Sequence, residues 1–127
     1  MPRRIVATED APAAIGPYAQ AVRAGDTLYV SGQIPLDPTT GELVRGDFDA
    51  AARQVFANLR AIVEAAGGTL DDVVKVNLYL VDLARFDAVN AVMAECFDAP
   101  YPARAAVQVA ALPRGAEVEA EAIVHLG

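Results

Sequence analysis

The fold is decided by the stretch Tyr101-Pro102-Ala103-Arg104 and the alternating run that follows it, Ala105-Ala106-Val107-Gln108-Val109-Ala110-Ala111. An alternation of period two is typical of a β-strand, because successive side chains point to opposite faces of a sheet. The run therefore predicts a strand that begins near Arg104. One face of this strand is expected to pack against a core, and the other face to present Arg104.

Arg104 is the first candidate for a binding residue. Its guanidinium cannot lose its proton, and a positive charge beside apolar residues is costly unless an anion meets it. The planar fork of donors suits a carboxylate better than a lysine would. A single arginine is more often a surface or ion-paired residue, so the pattern alone leaves both interpretations open.

The rest of the chain predicts five more strands and two helices. Strands are expected over residues 4–7, 20–23, 27–31, 73–81 and 117–126, and the second and third of these flank the turn Ala24-Gly25-Asp26. A first helix is capped by Asp47 or Asp49 and ends at Gly67-Gly68. A second helix is expected to begin at Asp82 and to carry Asn90 beside its apolar stripe.

The order β-β-β-α-β-α-β-β predicts an α+β domain in which two helices cover one face of a mixed sheet. The last two strands are expected to pair with each other in antiparallel fashion. No helix remains for the other face of the sheet, and 54% of the residues are hydrophobic. A symmetric oligomer that covers this face is therefore expected.

Length, charge and cysteine content restrict the class of protein. The 127 residues fit a single domain over residues 1–127. A net charge of -7 and basic residues that are scattered, apart from Arg3-Arg4, argue against nucleic-acid binding. No apolar run reaches the ~20 residues of a membrane span. A lone cysteine, Cys96, and the absence of a secretory leader favour the cytoplasm, and one His with one Cys makes a metal site improbable.

Four further positions are candidates for a site, each with an alternative. Glu119 lies on the same strand face as Glu121, and such carboxylates usually face solvent, but a desolvated one can take a proton from water. Asn90 is either a surface amide or a buried one with specific partners. Tyr18 lies in a loop, where it either reaches a ligand or packs. Gly32 satisfies a backbone requirement or allows a ligand to approach.

Several segments together resemble the Rid/YjgF family of small trimeric proteins, close to its RidA branch, over essentially the whole chain. They are Ile15-Gly16-Pro17-Tyr18-Ala19-Gln20, Ser31-Gly32-Gln33-Ile34-Pro35, Val89-Asn90-Ala91, Pro102-Ala103-Arg104, Leu112-Pro113 and Glu119-Ala120-Glu121-Ala122-Ile123. The resemblance implies a chorismate-mutase-like α+β fold. It also implies a homotrimer whose sheets form a central barrel, with pockets at the subunit interfaces.

The same resemblance implies an activity, the deamination of 2-iminopropanoate and 2-iminobutanoate to 2-keto acids without a cofactor. Arg104 matches the arginine of the family that binds the substrate carboxylate. Glu119 matches the acidic residue that holds and activates the attacking water. Tyr18, Gly32 and Asn90 match positions that line the pocket. The implied partners are a small 2-imino acid and further copies of the same chain, with neither nucleic acid nor membrane.

The chain departs from the family pattern at two places. Ala105 and Ala106 follow the arginine where many members have Ser and then Cys, and the loop over residues 98–101 is shorter than in many relatives. The first departure motivates an alternative function, a non-catalytic protein that binds or senses small carboxylates such as 2-keto acids. A ribonuclease or translation inhibitor is a third possibility within the family, which the acidic charge opposes.

Overall fold

Residues 2–127, which the computed structural model describes, form six strands and two α-helices in the predicted order. The strands are β1 (Arg4–Val6), β2 (Ala21–Ala24), β3 (Thr27–Gln33), β4 (Val73–Leu80), β5 (Ala103–Gln108) and β6 (Val118–His125), and the helices are α1 (Phe48–Ala65) and α2 (Phe86–Cys96). All six strands join one mixed sheet, in the spatial order β1-β2-β3-β6-β4-β5. The α+β prediction is confirmed.

Helix α1 has the ends that the sequence predicts. The side chain of Asp47 accepts a hydrogen bond from the backbone N–H of Ala50, so Asp47 is the cap and Asp49 is not. After the last turn, Gly67 adopts a φ of 90°, a conformation that favours glycine over other residues. Neither α1 nor α2, the two helices of the described chain, combines the length and apolar character needed to cross a membrane.

Helix α2 begins later than expected. The carboxylate of Asp82 does accept a bond from Ala84 N–H, but it caps a single 3-10 turn over Leu83–Arg85. The α-helix starts only after this turn, at Phe86. The prediction that Asp82 caps α2 was wrong, because the capping pattern is the same for a short 3-10 turn and for the first turn of an α-helix.

The pairing of the last two strands also differs from the prediction. β5 pairs with β4 in parallel and lies at the edge of the sheet, while β6 pairs antiparallel with β3 on one side and with β4 on the other. Helix α2 is the crossover connection that a parallel β4–β5 pair requires. β6 then fills the position between β3 and β4, where both of its edges find partners. The predicted antiparallel pair of β5 and β6 was therefore wrong.

Both helices pack against one face of the sheet, and the core lies between them and the sheet. Val118, Ala120, Ala122 and Val124 of β6 point into this core and are buried. The opposite face, called the open face below, carries Tyr29 and Val107, which are 51% and 45% exposed. This is the face for which the sequence predicts an oligomeric partner.

Candidate functional site

Arg104 lies on the helix-covered face of the sheet. It stands beside Val76 in the parallel register of β5 with β4, and Val76 is buried under the helices. Ala106, two residues later, packs against the same core. The expectation that the core would lie behind the other face of this strand was wrong. A charged residue is tolerated on this face because β5 is an edge strand. The aliphatic part of the Arg104 side chain can pack against the core while its guanidinium stays near the edge of the sheet.

Helix α2 holds the guanidinium of Arg104 through three residues: Phe86, Asn90 four positions later and Met93 seven positions later. The Nη1 atom donates a hydrogen bond of 2.5 Å to Oδ1 of Asn90, and the guanidinium carbon lies 5.2 Å from the centre of the Phe86 ring. The sulfur of Met93 lies 3.8 Å from the same nitrogen. Phe86, Asn90 and Met93 share one face of a helix, so they form a single support for the charge.

No carboxylate neutralises this guanidinium within the described chain. The ion pairs among residues 2–127 join Arg23 to Asp26, Arg53 to Glu95 and Arg60 to Glu64. A cavity of about 420 Å³ opens beside Arg104 and is also lined by Tyr101 and Asn90. An anchored, half-buried guanidinium at the wall of such a cavity is suited to bind a small planar anion.

Glu119 lies on the open face, next to Tyr79 in the register of β6 with β4. It lines a second cavity, of about 590 Å³. Burial, and then the nearby charge of Glu121, raise the pKa of Glu119 above the ordinary value of a glutamate. The group is therefore a better proton acceptor than an exposed carboxylate.

Gly32 and Tyr18 line the same cavity as Glu119. A Cβ atom at position 32 would lie 2.9 Å from the Cδ and Oε1 atoms of Glu119, so glycine provides the space that this carboxyl group occupies. The hydroxyl of Tyr18 accepts a bond of 3.3 Å from the N–H of Ile15. Its own proton can be donated to a ligand.

The residues predicted for the site thus fall into two groups within one subunit. Arg104 and Asn90 line the cavity on the helix-covered side, whereas Tyr18, Gly32 and Glu119 line the cavity on the open face. The sheet lies between them. A single chain does not bring the two groups together.

Two buried amides that shape the second cavity were missed by sequence reasoning. Gln20 receives a bond from Thr8 N–H and donates to the carbonyl groups of Thr8, Ala11 and Pro12. It ties the loop before β2 to the wall of the cavity.

Asn58 of α1 is the other missed amide. It donates to the carbonyl oxygens of Ile34 and Leu36, just after β3. The sequence contains the signal for its burial, since Asn58 follows Val55 by three positions and precedes Ile62 by four.

Metal-binding geometry does not occur in the part of the chain that the structure describes. No group of three or more His, Cys, Asp or Glu side chains among residues 2–127 comes together to hold an ion. The polar groups of the two cavities are arginine, carboxylate, amide and hydroxyl groups.

A family model and a curated protein both match nearly the whole chain. The family model described as Endoribonuclease L-PSP matches residues 8–126. A protein of Dermatophagoides farinae named 2-iminobutanoate/2-iminopropanoate deaminase is 50% identical over 123 residues, which are 97% of this chain and 96% of that one.

Solved structures agree with this likeness. RidA from an Antarctic Psychrobacter species is 54% identical and superposes with a TM-score of 0.93, over 96% of this chain and 98% of that one. TdcF of E. coli, solved with bound serine, is 42% identical with a TM-score of 0.94, over 98% of this chain and 99% of that one.

Proposed function

The chain belongs to the Rid/YjgF family, and from that membership we propose that it hydrolyses reactive 2-imino acids to 2-keto acids and ammonia. The proposed substrates are 2-iminopropanoate and 2-iminobutanoate. The observation that carries this proposal is Arg104, a guanidinium anchored by Asn90 that has no carboxylate partner in residues 2–127. Relatives named for this reaction support it, as does the bound serine of TdcF, an amino acid with the same carboxylate.

The reaction needs only water, one base and one anion-binding group, so the proposal includes no cofactor. Water forms a bond from its oxygen to C2 of the imino acid while the C=N π bond breaks; the base takes one proton from the water, and the imine nitrogen gains one. In the resulting carbinolamine the C–N bond then breaks. The hydroxyl proton passes to the nitrogen, which leaves as ammonia, and the oxygen remains as the carbonyl group of the 2-keto acid.

Arg104 is proposed to bind the substrate carboxylate. Its fork of N–H donors can form two parallel hydrogen bonds to the two carboxylate oxygens, and each contributes about 1.5–3 kcal/mol. Since Asn90 and Phe86 already fix the guanidinium, little orientation is lost on binding. The carboxylate then determines where the adjacent C2 atom lies.

Glu119 is proposed to take the proton from the attacking water and to return it to the leaving nitrogen. Its raised pKa supports this role, because a base works best when its pKa approaches the working pH. Gly32 leaves room for the carboxyl group of Glu119, and the hydroxyl of Tyr18, which lines the same cavity, is proposed to bind the substrate.

The complete site is proposed to lie between subunits of a homotrimer whose sheets face a central barrel. Two observations support this arrangement. Arg104 and Glu119 lie on opposite faces of the sheet in one chain, and the open face exposes Tyr29 and Val107. If one subunit supplies Arg104 and the next supplies Glu119, both groups can reach the same substrate.

We assign this activity to the cytoplasm, where it would remove reactive imines.

The test couples a serine or threonine dehydratase, which releases the imine, to this protein and follows imine decay. We expect wild type to accelerate the decay, and Arg104→Ala to lower kcat/KM by at least about 100-fold, the equivalent of two charge-assisted hydrogen bonds. Arg60→Ala is the matched control, because Arg60 is an exposed α1 residue paired with Glu64. Unchanged activity of Arg104→Ala would contradict the proposed role. Tight binding of 2-ketobutyrate with no acceleration by wild type would instead show a carboxylate-binding protein.

A further inference from the structure

The open face holds a hydrogen-bonded cluster that the proposed reaction does not yet use. The hydroxyl of Tyr79 donates a hydrogen bond of 2.5 Å to Oε1 of Glu121, and the amide of Asn77 donates to the same oxygen at 3.3 Å. Tyr79 stands opposite Glu119 in the register of β4 and β6, and Asn77 stands opposite Glu121. The bond from Tyr79 therefore runs diagonally, so the Tyr79 hydroxyl reaches the neighbour of Glu119.

This cluster and Glu119 share one cavity. Glu119, Glu121 and Tyr79 all line the space of about 590 Å³ on the open face. Residues two apart on a strand point to the same side with Cα atoms about 7 Å apart, so the two carboxyl groups face the same region. At this separation, in a partly desolvated site, a negative charge on one carboxyl group disfavours a negative charge on the other.

The electrostatics of the cavity keep the Tyr79 hydroxyl protonated. The hydrogen bond to Glu121, burial, and the charges of Glu121 and Glu119 raise the pKa of Tyr79 to about 12, so its proton stays on the hydroxyl and remains available to Glu121. On neighbouring elements, Lys75 and Tyr29 lie further along the same face, both opposite Ile123. Tyr18 lines the cavity from the loop before β2.

We propose that Tyr79 and Asn77 hold Glu121 as a fixed negative charge beside Glu119, and that this charge adds to the effect of burial in raising the pH range in which Glu119 can activate water. Glu121 is then a positioning residue, since it acts on the substrate only through Glu119. The inference rests on the proposed function for its catalytic consequence. In the proposed trimer, the positive charge of Arg104 from a neighbouring subunit lowers the pKa of Glu119. Arg104 is unchanged in every variant compared below, so this effect is the same in all of them.

The direct test is an NMR titration of the glutamate side-chain carboxyl carbons in the ligand-free protein. The signal of Glu119 is identified by its loss in Glu119→Gln. In Glu121→Gln the titration midpoint of Glu119 should move to lower pH, because the neighbouring negative charge is gone. Tyr79→Phe should move it in the same direction by less, since Glu121 keeps its charge but loses its fixed position. Glu64→Gln, the same change on the solvent side of α1, should leave it unmoved.

Kinetics provide the second readout. Glu119 must be ionised to accept a proton, so activity falls as the pH drops through its pKa. Glu121→Gln should therefore keep a larger fraction of its plateau kcat/KM at low pH than wild type, while the plateau itself falls because Glu119 is a weaker base. If Glu121 had only a structural role, Glu121→Gln would lower the plateau value of kcat/KM without moving the pH at which kcat/KM falls on the acid side.

The two hypotheses fail in different ways. An unchanged Glu119 midpoint in a folded Glu121→Gln protein would overturn the coupling, whatever the activity. A wild type that does not hydrolyse imines but shows the expected titration would overturn the proposed function and leave the coupling of the two carboxyl groups supported.

Discussion

At the scale of single residues, the arrangement around Arg104 separates anchoring from binding. Asn90 takes one N–H of the guanidinium as a neutral acceptor, and the Phe86 ring lies against the guanidinium carbon. Neither partner cancels the charge. A carboxylate at position 90 would also anchor Arg104, but it would neutralise the positive charge that attracts the carboxylate of a substrate. The choice of an amide therefore has a physical reason that can be tested.

Asn90→Asp should impair the reaction more than Asn90→Ala does. The new carboxylate would pair with Arg104 and compete with the substrate, whereas alanine only removes one anchor. We expect Asn90→Asp to lower kcat/KM by about tenfold to a hundredfold, the equivalent of one charge-assisted hydrogen bond. Steady-state kinetics on the dehydratase-coupled assay measure both variants. An Asn90→Ala protein that is the less active of the two would show that anchoring, rather than the preserved charge, is the function of Asn90.

At the scale of elements, α1 is connected to the cavity wall by the amide of Asn58. Its two hydrogen bonds reach the carbonyl groups of Ile34 and Leu36, both of which line the cavity of Glu119. Gln54 in turn donates to Oδ1 of Asn58 at 2.8 Å. The segment after β3 has left the main sheet and pairs only through an isolated antiparallel bridge of Leu36 with Leu43. The helix supplies a side-chain donor to the carbonyl of Leu36 and a second donor to that of Ile34.

Asn58→Ala should destabilise the protein because it leaves the buried carbonyl of Leu36 without a donor and removes one of the two donors of the Ile34 carbonyl, the other being Leu36 N–H. We expect the free energy of unfolding to fall by roughly 2–4 kcal/mol, measured by urea unfolding at one protein concentration. Asp47→Ala, which removes only the cap of the same helix, should cost about 1 kcal/mol. Equal losses in the two variants would mean that water or a shifted backbone replaces the bonds of Asn58.

The elements also show what a single sequence can and cannot predict. Hydrophobic spacing and capping residues are local signals, so α1, the hairpin and the strand order along the chain were predicted correctly. Strand pairing is not local. The positions of β5 and β6 depend on α2 being the crossover of a parallel pair, and alternation in β5 does not say which face the helices cover. For this reason Arg104 was identified as a candidate but assigned to the wrong side of the sheet.

At the scale of the whole molecule, the division of the candidate site is the strongest argument for assembly. A hydrolytic site needs its anion-binding group and its base within reach of one small substrate. Here the sheet lies between them, and the open face that carries Glu119 also exposes Tyr29 and Val107. The proposed closed ring of subunits would bury this face and place the Arg104 edge of one chain against the Glu119 face of the next.

Mixing two inactive variants tests this arrangement. Arg104→Ala and Glu119→Gln should each be inactive alone, but when refolded together in equal amounts they should recover about a quarter of wild-type activity. In a randomly mixed ring, about one site in four receives its intact arginine from one chain and its intact glutamate from the neighbour. A site built within one chain would recover nothing. Mixing Arg104→Ala with the Arg104→Ala/Glu119→Gln double variant is the control, because no combination of these chains contains an intact Arg104. The recovered fraction is the same for rings of two or three subunits, so sedimentation of the mixed sample must decide the number of chains.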